Sequence, residues 1–350
     1  MNVLLLTSHS IAEHDDLDMF TRMGVPTFSI GAYTDPRHPT DDKRPALPDA
    51  PWYPDLAAAV ELQREMLGAE AGDPGPRIDW AKAWLPDAVL AWADTIIVHH
   101  FPQWWIGGQW DRIRDHRVIW RTCGQSSPDL EDFMARFVVD GLQVVRYSPR
   151  ERIAFRNWGA FAGEDAMIRF GKDPAEWTGW HGRDVVVGNV TQNMAQRGDA
   201  CGFGYWAEAT RGLPVAPAGP GSEIIAGGVG ALGYEEMREY LRRIRVYLYT
   251  GTRPASYTLG LIEAAMTGVP VVTMGPGAFE PMALYEAHEL GSDGGTSLDN
   301  PAAARSRLRG YLDDHTRALA AGTLTRDKAI RLFGLPGVMA QWADFLGVAA

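Results

Sequence analysis

The chain has 350 residues, 46% of them hydrophobic and 22% charged, with a net charge of −11. At about 150 residues per domain this length predicts two domains, and the composition excludes a disordered chain and a coiled coil. Because the overall charge is negative, the protein as a whole is not attracted to nucleic acid. Binding to nucleic acid would therefore require a local basic patch.

No stretch of the sequence is typical of a membrane protein or of an exported one. The longest apolar runs, such as 269–272, fall far short of the roughly 20 residues that a spanning helix needs. Residues 3–6 form a short apolar run with no basic residue before it, unlike a signal peptide. Cys123 and Cys201 form neither a disulfide framework nor a zinc-type spacing. We therefore expect a cytoplasmic protein with two reduced, buried thiols.

Strand and helix patterns alternate along the first half of the sequence. Residues 2–7 predict a buried strand that ends in polar residues, and residues 25–30 predict a second strand. Six prolines between residues 34 and 54 predict a surface segment. The remaining predictions are helices at 56–67 and 80–92 and strands at 95–99, 118–121 and 142–146. This alternation predicts a parallel sheet with helices on both faces.

A second alternation follows in the other half, with β-rich runs at 184–188, 245–249 and 269–273. Residues 170–183 have no apolar period and are rich in Gly, Asp, Pro and Trp, so the hinge is predicted near residues 172–183. The predicted organisation is an N-terminal domain at 1–175, a C-terminal domain at 176–335, and a final helix at 336–350 that packs back towards the N-terminal domain.

Residues 246–273 carry the most informative pattern, which reads strand, loop, helix and strand. Ser256 is a favourable N-cap, and Gly268 is favourable just after a helix end. The pattern therefore predicts a helix at about 257–267.

The start of this helix predicts an anion site. The amides of Tyr257, Thr258 and Leu259 would be unpaired at the positive end of the helix dipole, ready for a diphosphate. The hydroxyls of Ser256 and Thr258 could add donors. Glu263 lies seven residues after Ser256, so both project from one helix face, about 10 Å apart along the axis. This separation suits a phosphate at one end and a ribose diol at the other.

Residues 261–272, Leu-Ile-Glu-Ala-Ala-Met-Thr-Gly-Val-Pro-Val-Val, resemble the donor-site motif of the retaining family 4 glycosyltransferases. That family has Glu, seven residues, Glu, Ala, a small pair, Gly and Pro-Val-Val. The resemblance implies the GT-B fold, an α/β architecture of two facing Rossmann-like domains with a cleft between them. It also implies that Glu263 binds the nucleotide ribose and that the amides of 257–259 hold the distal phosphate.

One position departs from the family motif. The first Glu of the pair is expected eight residues before Glu263, where this chain has Ala255. In the family that carboxylate binds hydroxyls of the transferred sugar, so its absence leaves the identity of the sugar open. Glu280, in a later loop, is a candidate to supply a carboxylate instead.

Two further residues match the plan of the same family. Arg197 follows the strand at 184–188, where the family has basic residues that grip the pyrophosphate. Asp94 and His99 frame a strand as in the family, where the imidazole reaches the transferred sugar, and His100 is expected to face the other way. We therefore expect His99 and Arg197 to be the catalytic residues.

The sequence also bears on metal ions and on the rest of the sheet edge. The early D-x-D match, Asp16 to Asp18, lies in an apparent helix and not at the end of a strand. This position disfavours the metal-dependent sugar transfer of glycosyltransferases with the other common fold. No metal or cofactor is therefore expected. His9 follows the first strand, and open α/β sheets bind ligands at the carboxyl ends of their strands. His9 is therefore expected near the cleft.

These patterns lead to a metal-independent, retaining glycosyltransferase with a UDP- or GDP-linked sugar as donor, bound by the C-terminal domain. The alternative is a catalytically inactive sugar-nucleotide-binding protein of the same fold, suggested by Ala255. A nicotinamide-dependent dehydrogenase is excluded, because residues 7–12 after the first strand contain no glycine. The acceptor is a glycan, a small molecule, a protein or a modified nucleic acid. A DNA acceptor would need a local surface such as Arg112, Arg114 and Arg117.

Overall fold

All strands of the computed structural model are parallel to their neighbours within the described residues, and they form two sheets. The structure describes residues 1–34, 44–66, 85–124, 126–275, 278, 287–291 and 298–349. Unit 1 comprises Met1–Ile168 and Met339–Ala350, and unit 2 comprises Arg169–Val338. The boundary thus lies between residues 168 and 169, whereas the sequence predicts it between 175 and 176.

The sheet of unit 1 is formed by β1 (Val3–Thr7), β2 (Thr27–Gly31), β3 (Thr95–Val98), β4 (Arg117–Arg121), β5 (Gln143–Arg146) and β6 (Ala166–Met167). Their order is β2-β1-β3-β4-β5-β6. β1, β2 and β3 are buried along their whole length, as expected of apolar runs in a sheet covered on both faces. The chain moves from β1 to β2 in one direction and from β3 to β6 in the other. The sheet therefore has a topological switch point between β1 and β3.

The helices of unit 1 before residue 168 are α1 (Ser10–Arg22), α2 (Pro54–Met66), α3 (Asp87–Trp92), α4 (Pro102–Trp105), α5 (Trp110–Ile113), α6 (Pro128–Val138) and α7 (Pro149–Asn157). The helix predicted at 56–67 corresponds to α2. Of the helix predicted at 80–92, residues 87–92 form α3, and residues 80–84 lie outside the described part. The core packs these helices on the sheet through residues such as Leu4, Ile96 and Trp120.

The sheet of unit 2 is formed by β7 (Asp184–Val190), β8 (Val215–Ala218), β9 (Ile244–Tyr249) and β10 (Val271–Thr273). Their order is β10-β9-β7-β8, so the switch point of this sheet lies between β7 and β9. β9 is buried along its whole length. The sequence does not predict β8, because Val-Ala-Pro-Ala contains a proline and only one β-branched residue.

The remaining helices are α8 (Met194–Arg197), α9 (Phe203–Thr210), α10 (Tyr234–Arg243), α11 (Leu259–Thr267), α12 (Pro301–Asp313), α13 (His315–Phe333) and α14 (Leu335–Leu346). The core of unit 2 joins β7, β9 and β10 to α9 and α12 through residues such as Val246, Trp206 and Leu308. Among the described residues, no helix combines the length and the apolar character that a membrane span requires.

α14 begins in unit 2 and belongs to unit 1 from Met339 onward. Within unit 1, Trp342 is fully buried, with its ring 5.6 Å from that of Phe20. The guanidinium of Arg121 lies 5.0 Å from the centre of the Trp342 ring. Arg117 donates hydrogen bonds to the carbonyls of Phe345 and Leu346, at 2.8 and 3.3 Å. This arginine therefore satisfies carbonyls that the helix end leaves unpaired.

Candidate functional site

Three histidines lie at the switch point of unit 1. His9 follows β1, and His99 and His100 follow β3, the neighbouring strand. His9 is exposed, whereas the other two histidines are buried. Because ligands of open α/β sheets bind beside such a point, this is the candidate site of unit 1.

His9 and His100 form a stacked pair, with ring centroids 5.7 Å apart and an interplanar angle of 17°. Thr7 Oγ1 lies 3.1 Å from His100 Nδ1 and accepts a hydrogen bond from the His9 amide at 3.2 Å. His9 Nδ1 in turn accepts from the amide of Ala12, so His9 is the N-cap of α1. Burial, together with the charges of His9 and His99, holds the pKa of His100 well below its usual range. His100 is therefore neutral near pH 7.

His99, the predicted catalytic histidine, lies deep in unit 1 against a carboxylate. Its Nε2 is 3.0 Å from Oδ2 of Asp16 on α1, and Arg121 Nε is 4.0 Å from the same oxygen. Burial lowers the pKa of His99, and the hydrogen bond and charge of Asp16 oppose this effect. The structure thus places His99 at the predicted strand end, as a buried member of an ionic group.

His99 and His100 both line one cavity, and their ring centroids lie 6.3 Å apart. β3 ends before His99, so the alternation of a strand does not fix the directions of these two rings. The cavity has a volume of about 120 Å³ and is also lined by Thr122 and Ser126. Phe101, which borders it, has a left-handed backbone with φ of 55°. Such a conformation is strained for a bulky residue and is typical of binding sites.

The polar side of this cavity leads to a buried ionic network. Thr122 donates a hydrogen bond to Glu151, and Ser126 donates one to Glu131. Arg146 donates two hydrogen bonds to Glu131, at 2.6 and 2.7 Å. Burial raises the pKa of Glu151 to about 8, and the charge of Arg146, which is already bonded to Glu131, opposes this only in part. Glu151 therefore keeps its proton at pH 7.

Glu151→Gln is expected to flatten the pH dependence of stability. Between the ordinary pKa of 4.5 and the folded value of about 8, the unfolded chain releases this proton and the native chain keeps it. Wild-type stability therefore falls as pH rises through this window, by up to about 1.4 kcal/mol per pH unit from this group. Urea unfolding at pH 5, 6.5 and 8 measures the slope. The exposed Glu235→Gln should leave the slope unchanged, and an unchanged slope in Glu151→Gln would contradict the prediction.

The loops that follow β7 and β9 meet at the switch point of unit 2. The first continues into α8, which ends at Arg197, an exposed residue. The second begins at Thr250, whose hydroxyl donates a hydrogen bond to the carbonyl of Cys201 at 2.6 Å. Arg197 therefore lies at the same edge of the sheet as the loop that leads to α11.

α11 begins two residues later than the sequence predicts, at Leu259, with Thr258 as its N-cap. Ser256 is not the N-cap. Its carbonyl accepts a hydrogen bond from the amide of Ala287 at 3.2 Å, which holds Ser256 in the preceding loop. Gly268 ends the helix with φ of 98°, the left-handed conformation expected of a glycine at this position.

The residues predicted to bind the diphosphate are consequently divided between core and surface. Ser256 and Tyr257 are buried, and the ring of Tyr257 packs against that of Phe333 at 4.9 Å. Thr258 and Leu259 are half-buried at the start of α11. The unpaired amides of the first helical turn therefore begin at Leu259 and not at Tyr257.

Glu263 faces inward and is 4% exposed. Its Oε1 accepts a hydrogen bond from Nζ of Lys172 at 2.6 Å, and Lys172 is itself 3% exposed. The backbone of Lys172 is fixed by hydrogen bonds with Phe333 and Leu335. The sequence predicts an open, ribose-binding carboxylate, whereas the structure places this carboxylate in a buried ion pair. A ribose diol would have to share it with Lys172.

Two other candidates concern the missing carboxylate. Ala255 is half-buried in a tight turn, where its amide donates to the carbonyl of Thr252 at 2.7 Å. Glu280, the suggested substitute, lies outside the described residues. Ala255 therefore offers only backbone groups at the position where the family motif has a carboxylate.

The arginines suggested as a basic patch are engaged within unit 1. Arg112 donates hydrogen bonds to the carbonyl of Leu85 and to Asp87. Arg114 pairs with Asp111 at 3.7 Å, and Arg117 binds the end of α14. The described contacts therefore provide no support for a DNA-binding surface at these residues.

Two partners in these sites have no local sequence signal. Asp16 occurs in a D-x-D match, and α1 confirms that this match is helical. Lys172 lies in the predicted hinge, 91 positions before Glu263.

In the part of the chain that the structure describes, no group of three or more His, Cys, Asp or Glu side chains is arranged to hold a metal ion.

Comparisons with known proteins show which known fold this chain shares. Neither the known protein families nor the curated protein sequences contain a match to this chain. Among solved structures, sucrose-phosphate synthase from Thermosynechococcus elongatus matches with a TM-score of 0.71 and 15% identity, over 99% of this chain and 98% of that one.

Two further structures match over nearly the whole chain. Anabaena HepE in complex with UDP-glucose has a TM-score of 0.63 and 13% identity, with 99% of both chains covered. A glycosyltransferase from Rickettsia africae has a TM-score of 0.63 and 10% identity, over 99% of this chain and 97% of that one. The likeness confirms the predicted fold class: the chain has the α/β, GT-B type of fold with two Rossmann-like units.

Proposed function

We propose that the protein transfers a glycosyl group from a nucleotide-diphosphate sugar to an acceptor, with retention of configuration and without a metal ion. The observation that carries this proposal is that predicted site residues lie at the switch points of both sheets. His99 lies at the switch point of unit 1, and Arg197 and the start of α11 lie at that of unit 2. In this proposal unit 2 binds the donor and unit 1 binds the acceptor.

The donor is proposed to be a UDP-linked sugar. HepE, which matches 99% of this chain, has been solved with UDP, with UDP and glucose, and with UDP-glucose. The sequence leaves a GDP-linked sugar open as the alternative. Direct comparison of UDP and GDP binding distinguishes the two nucleotides.

The chemistry requires stabilisation of the charge that grows on the leaving diphosphate. The first amides of α11, at Leu259 and Gly260, point along the positive end of the helix dipole. Arg197 would add a cationic donor from the neighbouring loop. Donors held in place before the reaction supply the main electrostatic stabilisation of such a transition state. The leaving phosphate can take the proton of the acceptor on the same face, so no protein nucleophile is required.

The other motif residues have supporting roles in this proposal. His99 is proposed as the catalytic residue of unit 1. Glu263 would accept from the ribose diol while it remains bonded to Lys172. Ser256 and Tyr257, which are buried, would shape the loop before α11 without touching the donor.

Arg197→Gln is expected to weaken UDP binding at least about 10-fold, because hydrogen bonds to charged groups contribute about 1.5–3 kcal/mol. Isothermal calorimetry with UDP and with GDP measures this change. Arg197 is exposed at the end of a short helix, so the melting temperature should remain that of the wild type.

Arg211→Gln is the matched control. This arginine is exposed and follows α9, at the amino edge of the same sheet, where it pairs with Glu208. It should bind UDP like the wild type. Failure of the wild type to bind any nucleoside diphosphate would overturn the proposed function, and equal effects of the two substitutions would remove Arg197 from the site.

A second candidate is a protein that binds the sugar nucleotide without turning it over. The absence of a carboxylate at Ala255 and the buried pairing of Glu263 with Lys172 favour it. Incubation with labelled nucleotide sugars and cell extract separates the two candidates. Tight binding with neither hydrolysis nor transfer, unchanged in Ala255→Glu, would favour the binding protein.

A further inference from the structure

A second cavity of unit 1 lies beside β2. It has a volume of about 880 Å³, within the range of small-molecule sites in proteins. In the described part of the sheet β2 is the outermost strand, so the cavity borders the edge of the sheet and not the switch point between β1 and β3. Its walls come mainly from β2, from α2 and from the proline-containing stretch 44–54. The described residues that line it all belong to unit 1.

Most of the cavity wall is apolar, and much of it is aromatic. The rings of Phe28 and Tyr53 meet edge to face with centroids 6.1 Å apart, and Tyr53 meets Trp92 in the same way at 4.9 Å. Trp52 also lines the cavity and is 75% exposed. The lining prolines, whose φ is fixed by the ring, are Pro48, Pro51 and Pro54. An exposed indole beside aromatic rings that are already held in place offers a surface on which another ring can stack.

The arginines of the cavity wall are paired with carboxylates. Arg44 Nε lies 3.6 Å from Oδ1 of Asp15, and Arg64 Nη1 lies 2.6 Å from Oε1 of Glu61. Arg44 is 5% exposed, so its charge is compensated mainly by this partner. An anionic ligand would have to compete with a carboxylate at each arginine. The cavity therefore favours a neutral ligand.

Hydroxyl groups on β2 and just after it line the cavity and donate their hydrogens within the protein. Ser29 and Thr34 donate to Oε1 of Glu13, at 2.6 and 2.7 Å. Tyr33 donates to the carbonyl of Pro45 at 2.8 Å. A hydroxyl oxygen that has donated its one hydrogen can still accept a hydrogen bond. These groups therefore favour a ligand that donates, as a phenol or an alcohol does.

We propose that unit 1 binds a neutral aromatic small molecule with a hydroxyl group in the cavity between β2 and α2. The ring of the ligand stacks on the aromatic wall, and its hydroxyl donates to an oxygen of Ser29, Tyr33 or Thr34. Such a compound belongs to the small-molecule class among the acceptors that the sequence leaves open. The inference concerns unit 1 alone and depends neither on the donor nor on turnover.

The experiment uses two phenols, 2-naphthol and 4-phenylphenol, and the methyl ether of each, with the full chain and no nucleotide. Each ether keeps the rings but cannot donate a hydrogen bond. By isothermal calorimetry, the phenols should bind at one saturable site with a Kd below about 1 mM and about 3- to 10-fold more tightly than their ethers. Absence of saturable binding, or equal affinity for phenols and ethers, overturns the inference.

A pair of variants on α2 tests where the phenols bind. Ala58 is exposed and lines the cavity, so Ala58→Trp should occupy part of it and weaken phenol binding at least about 10-fold. Leu62, on the same helix, is 59% exposed and outside the described lining. Leu62→Trp is therefore the control and should bind like the wild type. Wild-type affinity in Ala58→Trp, or equal weakening in both variants, overturns the inference.

Trp52→Ala covers the case in which Ala58→Trp fails to fold. Because Trp52 is largely exposed, its removal should leave the melting temperature unchanged. The loss of a stacking surface should weaken phenols and ethers alike, by about 2- to 10-fold. Unchanged affinity for every probe in Trp52→Ala overturns the inference. Since no nucleotide enters these measurements, their outcome is separate from that of the proposed function.

Discussion

Lys172→Met is expected to lower the free energy of unfolding by about 3–5 kcal/mol, because it leaves the carboxylate of Glu263 buried without its cation. Both side chains are almost fully buried, and their atoms lie 2.6 Å apart. The low-dielectric surroundings make the pair strong and also make an unpaired member costly. Urea unfolding at pH 7 measures the loss.

The double variant Lys172→Met/Glu263→Met should recover most of this stability, since replacing both members of a buried pair by apolar groups is often nearly neutral. Arg211→Met, which breaks an exposed pair with Glu208, is the control and should cost no more than about 1 kcal/mol. If Lys172→Met also lowered the free energy of unfolding by no more than about 1 kcal/mol, the ion pair between Lys172 and Glu263 would be solvated and not buried.

The structure also changes the expectation for Glu263→Gln. From the sequence, this substitution should weaken nucleotide binding by about 10- to 150-fold with little change in stability. Because Glu263 is bonded to Lys172 in the core, a large loss of stability is now expected as well. Nucleotide affinity must therefore be measured on the fraction of the variant that remains folded.

Gly322→Ala is expected to destabilise unit 2 by about 3 kcal/mol, although alanine normally stabilises a helix relative to glycine. Gly322 lies in the middle of α13, and a Cβ there would be 2.1 Å from the carbonyl oxygen of Gly268. That carbonyl belongs to the residue that ends α11. Neither backbone can move without displacing a helix, so the clash cannot be relieved by a side-chain rotation.

Gly337→Ala is the matched control for this prediction. Gly337 is an exposed residue of α14, and a Cβ added to it would meet no atom within 4 Å. Its replacement should leave stability unchanged or raise it by up to about 1 kcal/mol. Thermal unfolding of both variants provides the measurement, and a neutral Gly322→Ala would show that α13 and α11 can separate without cost.

The parallel sheets are predictable from the sequence because their central strands are short, unbroken apolar runs between polar loops. β1 and β9 are buried along their whole length and agree with runs that the sequence marks as strands. β8 is missed because its Val-Ala-Pro-Ala sequence contains a proline and only one of the β-branched residues by which strands are recognised. Its place in the sheet comes from tertiary pairing with β7.

The candidate sites can be predicted from the sequence only where the position of a residue follows from the local order of strands and loops. The loops that hold Arg197 and His99 follow strands, so their place at the sheet edge can be inferred from the chain order. The start of α11 cannot be inferred from the sequence, because the amide of Ala287, which is distant in the chain, holds Ser256 in the preceding loop. Asp16 and Lys172 are equally out of reach, since each meets its partner only after the sheet has formed.

The division of α14 between the two units constrains how the chain can be cut and in what order it folds. Residues 339–350 belong to unit 1 but are synthesised after the whole of unit 2. A fragment that ends at residue 168 would lack Trp342 and would uncover Phe20 and Arg121, which this tryptophan contacts. Unit 1 therefore cannot complete its core during translation before unit 2 has emerged, and an isolated N-terminal fragment needs the distal helix supplied in trans or by fusion.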